Sequence, residues 1–131
     1  MALSRSDHLA ATAIFQALTY ISTNGRQLPN GDRALERSAI TDELKRREMI
    51  LFRSWGCGLR SSGKPRWQEE LERHSHEYVK AGFLIKQHGK QHAVWTLTQR
   101  GLAALGKGGE YMFDEARTVY NRYMAQKRGE H

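Results

Sequence analysis

Few residues in this 131-residue chain have the types and spacing that bond chemistry needs. Asp32, Glu43 and Lys45 follow the D…E-x-K order of a metal-dependent nuclease site. Such a site normally lies on strands, whereas these residues fall in a predicted helix, so the order reads as coincidence. His88-x-x-x-His92 and His74-x-His76 are histidine pairs with the look of metal ligands. The first flanks a predicted hairpin turn and the second points to different helix faces. No carboxylate or cysteine completes either set. Cys57 is the single cysteine, which excludes an internal disulfide and a cysteine-based zinc cluster. The sequence has no Ser-His-Asp elbow, phosphate-binding Walker loop or GxGxxG fingerprint. The expectation is a protein with no catalytic residues, cofactor or metal of its own.

What remains is charge. The formal net charge is +7, and a positive surface draws phosphate at a distance. The excess is concentrated: residues 60–107 hold nine Lys/Arg against four Asp/Glu, while residues 108–131 hold four of each. Arg60, Lys64, Arg66 and Gln68 precede or open one predicted helix, and Arg73, His76 and Lys80 continue along it. Lys86, His88, Lys90 and His92 form a second basic set on and around a predicted hairpin turn. These residues are the candidates for contact with a nucleic acid.

The elements that must position them follow from periodicity. Ala11, Ile14, Phe15, Leu18 and Ile21 share one helical face, with Ser4-x-x-Asp7 as a capping box and Asn24-Gly25 as the stop, which predicts a first helix over 7–22. Residues 25–31 hold a short extended piece and a turn. A second helix is expected from Asp32, as N-cap, to about Met49, with Ile40, Leu44 and Leu51 inward. The Gly- and Ser-rich stretch 53–65 reads as a long loop, and Pro65 opens a third helix over 65–81 in which Trp67, Leu71, His74 and Tyr78 share a face. Residues 83–87 and 92–97 form a hairpin, 98–105 a short helix, and 110–127 an amphipathic helix. Trp67, Trp95 and Tyr78 are core residues in this reading. Trp55 stands in the glycine-rich loop outside any apolar periodicity, which makes it the candidate contact to a modified base.

Three helices followed by a hairpin with a basic turn is the order of a winged helix-turn-helix, whose third helix enters the major groove while the wing lies along the backbone. The local wording is specific as well. Lys64-Pro65-Arg66-Trp67, Tyr78-Val79-Lys80-Ala81-Gly82-Phe83-Leu84 and Val94-Trp95-Thr96-Leu97-Thr98-Gln99-Arg100-Gly101 resemble winged-helix proteins in which a helix ends in L-x-x-x-G-L-I and the second wing strand runs into W-x-L-T-x-x-G. Over about residues 60–105 the chain is most similar to the N-terminal domain of Mrr-type restriction endonucleases. Winged-helix readers of other modification-dependent endonucleases come next, and PadR- and MarR-type transcription regulators share the same wording. The departures are the long 53–65 loop and the carboxylates Glu69, Glu70 and Glu72, which phosphates repel. Acidic residues at a helix N-terminus are favoured by its dipole, by roughly 0.3–1 kcal/mol each.

The resemblance implies a winged-helix domain over 1–107 and a C-terminal helix over 108–131 that links to a further domain or dimerises. It also implies a partner, double-stranded DNA, with a methylated base as the feature read by a restriction targeting domain. A dimeric transcription regulator joined through 110–127 is the alternative, and a protein-interaction domain with an incidental basic surface is a third reading. No apolar run approaches the roughly 20 residues that span a bilayer, and residues 1–5 lack a secretory hydrophobic core, so the expected location is the cytoplasm, on the bacterial nucleoid.

Overall fold

α1 (Arg5–Asn24) runs through the centre of the protein. Ser4 caps it by accepting a hydrogen bond from the Asp7 amide at 3.1 Å, as the capping box predicts. Its inward residues are Leu9, Ile14, Leu18 and Ile21 together with Ala10, Ala11, Ala13 and Ala17. The alanines carry no bulk beyond Cβ, so neighbouring helices approach this one on several sides. The computed structural model describes residues 3–89 and 92–129, mainly helical with one small antiparallel sheet.

After α1 come β1 (Arg26–Gln27), β2 (Arg33–Glu36), α2 (Arg37–Arg46) and α3 (Glu48–Cys57). The chain continues with α4 (Arg66–Lys80), β3 (Leu84–His88), β4 (Ala93–Leu97), α5 (Gln99–Leu105) and α6 (Gly109–Gly129). The sheet order is β1-β2-β4-β3, antiparallel throughout. The expected hairpin is therefore only half of a sheet: Trp95 of β4 lies opposite Lys86 on one side and Leu35 on the other.

Two expectations fail between residues 32 and 65. Asp32 does not cap a helix that runs to Met49. Residues 33–36 pair as a strand with β4, the helix starts at Arg37, and the chain breaks at Arg47 before α3 begins. Pairing with β4 and burial of Ala34 override the helical propensity of Arg-Ala-Leu-Glu. Asp32 instead bridges two segments, its Oδ1 accepting from the Gln99 amide at 3.0 Å at the start of α5. The second failure is the loop. Helix α3 extends to Cys57, so Trp55 sits in its last turn and packs half-buried against the core. Phe52 stacks on Trp67 at 5.0 Å and Gly56 lets α3 close on Leu9. These contacts fasten a stretch whose glycines and serines favour a loop.

The remaining segment, 58–65, is a tight turn closed by the Arg60 amide donating to the Lys64 carbonyl at 2.8 Å. Gly82, at φ +82°, turns the chain from α4 into β3, and a side chain at Gly101 would meet the Phe83 carbonyl at 2.3 Å. These glycines fix how the sheet leaves α4 and how α5 packs behind it. Met112, Phe113 and Ala116 of α6 are buried, so the first half of this helix shares the core with α1 and α4.

Candidate nucleic-acid interface

The N-terminal end of α4, the N-terminal end of α2 and the start of β4 meet around an open groove of about 350 Å³. Arg37, Ser38, Thr41, Asp42, Gln68, His92 and Ala93 line it. Gln68 and Glu72 are one helical turn apart and so face the same side of α4. Beside the groove, Glu72 joins two cations: Lys64 Nζ lies 2.9 Å from its Oε2 and Arg37 3.4 Å from its Oε1. Lys86, on β3, donates to Ser75 Oγ at 2.8 Å and lies 5.6 Å from the Trp95 ring centre. Burial pushes the Lys86 ammonium below its ordinary pKa, Arg37 adds to that, and Glu72 opposes it. Lys64, Gln68, Lys86 and His92 are thus gathered on one side, with Arg37 added by the fold.

The other candidates are dispersed. Arg60 pairs with Glu69 at 3.0 Å, and Arg73 with Glu70 at 3.1 Å. The Ser62 hydroxyl first, and then Arg60 and the charge of Arg73, hold the Glu69 carboxyl below its ordinary pKa against the opposing effect of burial. Arg66 turns back on α3, donating from Nε to the Trp55 carbonyl at 3.2 Å, with its guanidinium 4.5 Å from the Trp55 ring centre. Arg5 covers the same ring at 4.1 Å. His76 meets the edge of Tyr120 on α6 at 4.9 Å, and Lys80 lies over Tyr123. His88 is exposed at the end of β3. Lys90, the expected wing tip, lies outside the described residues.

Two features escape a reading from periodicity. Arg37 joins the site only because β2 ends at Glu36 and brings the start of α2 beside α4. The pairing of loop cations with Glu69 and Glu72 depends on how 58–65 folds. The D…E-x-K residues do not form a site: Asp32 bonds Gln99 and Asn30, whereas Glu43 pairs with Arg46. Among the described residues, no three His, Cys, Asp or Glu side chains are grouped to hold a metal ion, and no helix is long and apolar enough to cross a membrane.

Glu72 is the electrostatic centre of this face, and its removal has a definite expected result. Glu72→Gln frees Arg37 and Lys64 for phosphate while keeping the side-chain volume. If this face binds duplex DNA, affinity should rise and its dependence on salt should steepen, by up to about 0.9 in log–log slope for each additional phosphate neutralised. Titrations of labelled duplex at several salt concentrations measure both quantities. An unchanged slope would show that Glu72 lies away from the bound phosphates.

No family model matches the chain, and neither a curated protein nor a solved structure matches it.

Proposed function

We propose that the chain is a winged-helix module that binds double-stranded DNA and catalyses no reaction on it. In this reading the N-terminal turns of α4 face the major groove, hairpin β3–β4 is the wing, and the start of α2 approaches the backbone. The observation that carries the proposal is the convergence of these three elements around one open groove, with Arg37, Lys64 and Lys86 at its side. Gln68 is the side chain of α4 placed to meet a base edge. Arg37 and Lys64 meet phosphates, which position the protein without specifying sequence.

The place of such a module is the targeting domain of a modification-dependent restriction endonuclease, working in the cytoplasm on the nucleoid. Support for this role is the Mrr-like wording of residues 60–105. Trp55 serves here as a platform for Arg66, and a methylated base could stack on its ring only where one of the two guanidiniums moves aside. A second reading, a dimeric transcription regulator, is favoured by the outer turns of α6, where Tyr123 is exposed and Val119 and Met124 are half-buried. Sedimentation equilibrium separates the two, because the regulator is a dimer that Tyr123→Glu dissociates.

Titration of a fluorescent duplex with the whole chain tests binding itself. Log affinity should fall linearly with log salt, by about 0.9 per phosphate neutralised, and Lys64→Ala should flatten that slope for every sequence alike. Gln68→Ala should instead narrow the difference between best and random sites, by roughly 1–3 kcal/mol where the amide makes a bidentate base contact. Affinity indifferent to salt would overturn the proposal, as would magnesium-dependent cleavage by the purified chain.

A further inference from the structure

A second face of the protein, formed by α3 and the start of α1, lies outside the groove described above. Met49 and Ile50 of α3 are 60% and 78% exposed, and Leu59, just beyond it, is 73% exposed. They are half of the six exposed large hydrophobic residues among those described. Three large apolar side chains on or just beyond one short helix thus meet water, and exposed apolar surface of that kind commonly marks an interaction site. Between α1 and α3 lies a recess of about 280 Å³ with Leu9, Leu51, Phe52 and Trp55 as its apolar wall. Arg5 and Arg53 supply its charge, His8 also lines it, and no carboxylate does. His8 lies 3.8 Å from Glu110.

The backbone at Arg53 adds an independent sign. Its φ of 59° and ψ of −177° interrupt α3 in a conformation that essentially only glycine adopts without strain. An arginine held there lines the recess and supplies a charge that a glycine would not. Strain of this kind gathers where a site needs a side chain at a fixed position.

We propose that this face docks an acidic, amphipathic segment of a partner protein. One large apolar side chain of the segment fills the recess, and its carboxylates pair with Arg5 and Arg53. Charge complementarity selects this occupant. A second copy of the chain would bring the same cations and a net charge of +7 to a face that is already basic. A DNA backbone would leave the apolar wall of the recess uncovered. A recess of this size lies at the lower limit of cofactor pockets, and it suits one anchor side chain of the kind that dominates protein interfaces.

Selection of phage-displayed random peptides on the immobilised whole chain tests the proposal. The recovered peptides should combine Asp or Glu with Leu, Phe or Trp, and blocked synthetic copies should bind in fluorescence anisotropy. Arg53→Glu should weaken them at least tenfold, and Ile50→Ser several-fold, without altering affinity for duplex DNA. Arg53→Gly should raise the melting temperature yet weaken peptide binding, whereas a purely structural Arg53 would show only the first effect. Where Arg53→Glu perturbs folding, replacing the peptide's acids with amides tests the same pairing on the native protein. Peptides without acidic residues, failure to recover any consensus, or binding indifferent to Arg53 and Ile50 would overturn the proposal. So would a concentration-dependent dimer that Ile50→Ser dissociates.

Discussion

Trp67→Ala is expected to lower the unfolding free energy by about 3–5 kcal/mol, the usual cost of truncating a buried large aromatic. Trp67 is fully buried, stacks on Phe52 at 5.0 Å and donates from Nε1 to Glu48 Oε2 at 2.9 Å. Its loss therefore opens a cavity where α1, α3 and α4 meet and leaves Glu48 without that donor. Denaturant unfolding followed by circular dichroism gives the size of the effect. Trp55→Ala is the control: this side chain is half-buried at the edge of the core, and its removal should cost clearly less. The two variants also separate function from folding. Trp55→Ala frees Arg66 from its platform while the fold persists, so it tests the proposed modified-base contact without unfolding the domain. A Trp67→Ala variant as stable as the parent would contradict the packing at the centre of this fold.

Glu77→Ala should be the next most damaging substitution, at about 3 kcal/mol, the lower end of the cost of breaking a buried ion pair. Glu77 is buried between α4 and α6, 2.5 Å from His74 Nδ1 and 3.5 Å from Arg117 Nε. Arg117 also pairs with Asp7 of α1 at 2.9 Å and is one-third exposed, which lets it rehydrate and limits the loss. The same network sets an acid limit. Burial acts upward on the Glu77 pKa more strongly than any other single influence. The His74 hydrogen bond and the charges of His74, Arg117 and His76 together outweigh it, leaving the carboxyl below its ordinary range. Asp7 is lowered chiefly by its hydrogen bond from Arg117, with the Ser4 hydroxyl and the charges of Arg117 and His74 acting the same way against burial. Both carboxyls are more acidic folded than unfolded. Their stabilisation is thus complete above the ordinary carboxylate values of about 4 and is lost as pH falls through the lowered ones. Equilibrium unfolding of Glu77→Ala between pH 7 and pH 3 should show a shallower decline than the parent. Parallel curves would remove Glu77 from the acid transition.

The elements legible in the sequence are those with strong local signals. Helices α1, α4, α5 and α6 and hairpin β3–β4 lie within a few residues of expectation. A capping box and an Asn-Gly stop mark α1, Pro65 opens α4, a turn separates the two strands, and an amphipathic period marks α6. Residues 33–36 carried no such signal: Arg-Ala-Leu-Glu becomes a strand only through its partner β4, some sixty residues away. Helix α3 was hidden for the opposite reason. Its Gly-Cys-Gly ending speaks for a loop, and only the contacts of Phe52 and Gly56 make it helical. Lys64, Gln68 and Lys86 were legible as candidates from type and position. Their arrangement was not, since Glu72 binds a loop lysine and an arginine from another helix, and neither pairing leaves a trace in periodicity.

The double pairing of Glu72 changes what association with a polyanion would mean. Arg37 and Lys64 already hold an anion, one built into the chain, so a phosphate arriving there takes over a position instead of filling an empty one. Binding at this point is an ion exchange. Part of the attraction implied by the net charge is cancelled at close range by the protein's own carboxylate, which weakens adhesion to arbitrary sequence and eases departure from it. A site that also engages Gln68 gains contacts that Glu72 cannot imitate. In the proposed function the carboxylate would lower the common background more than the preferred complex, and selectivity would follow from an acidic residue on a basic face.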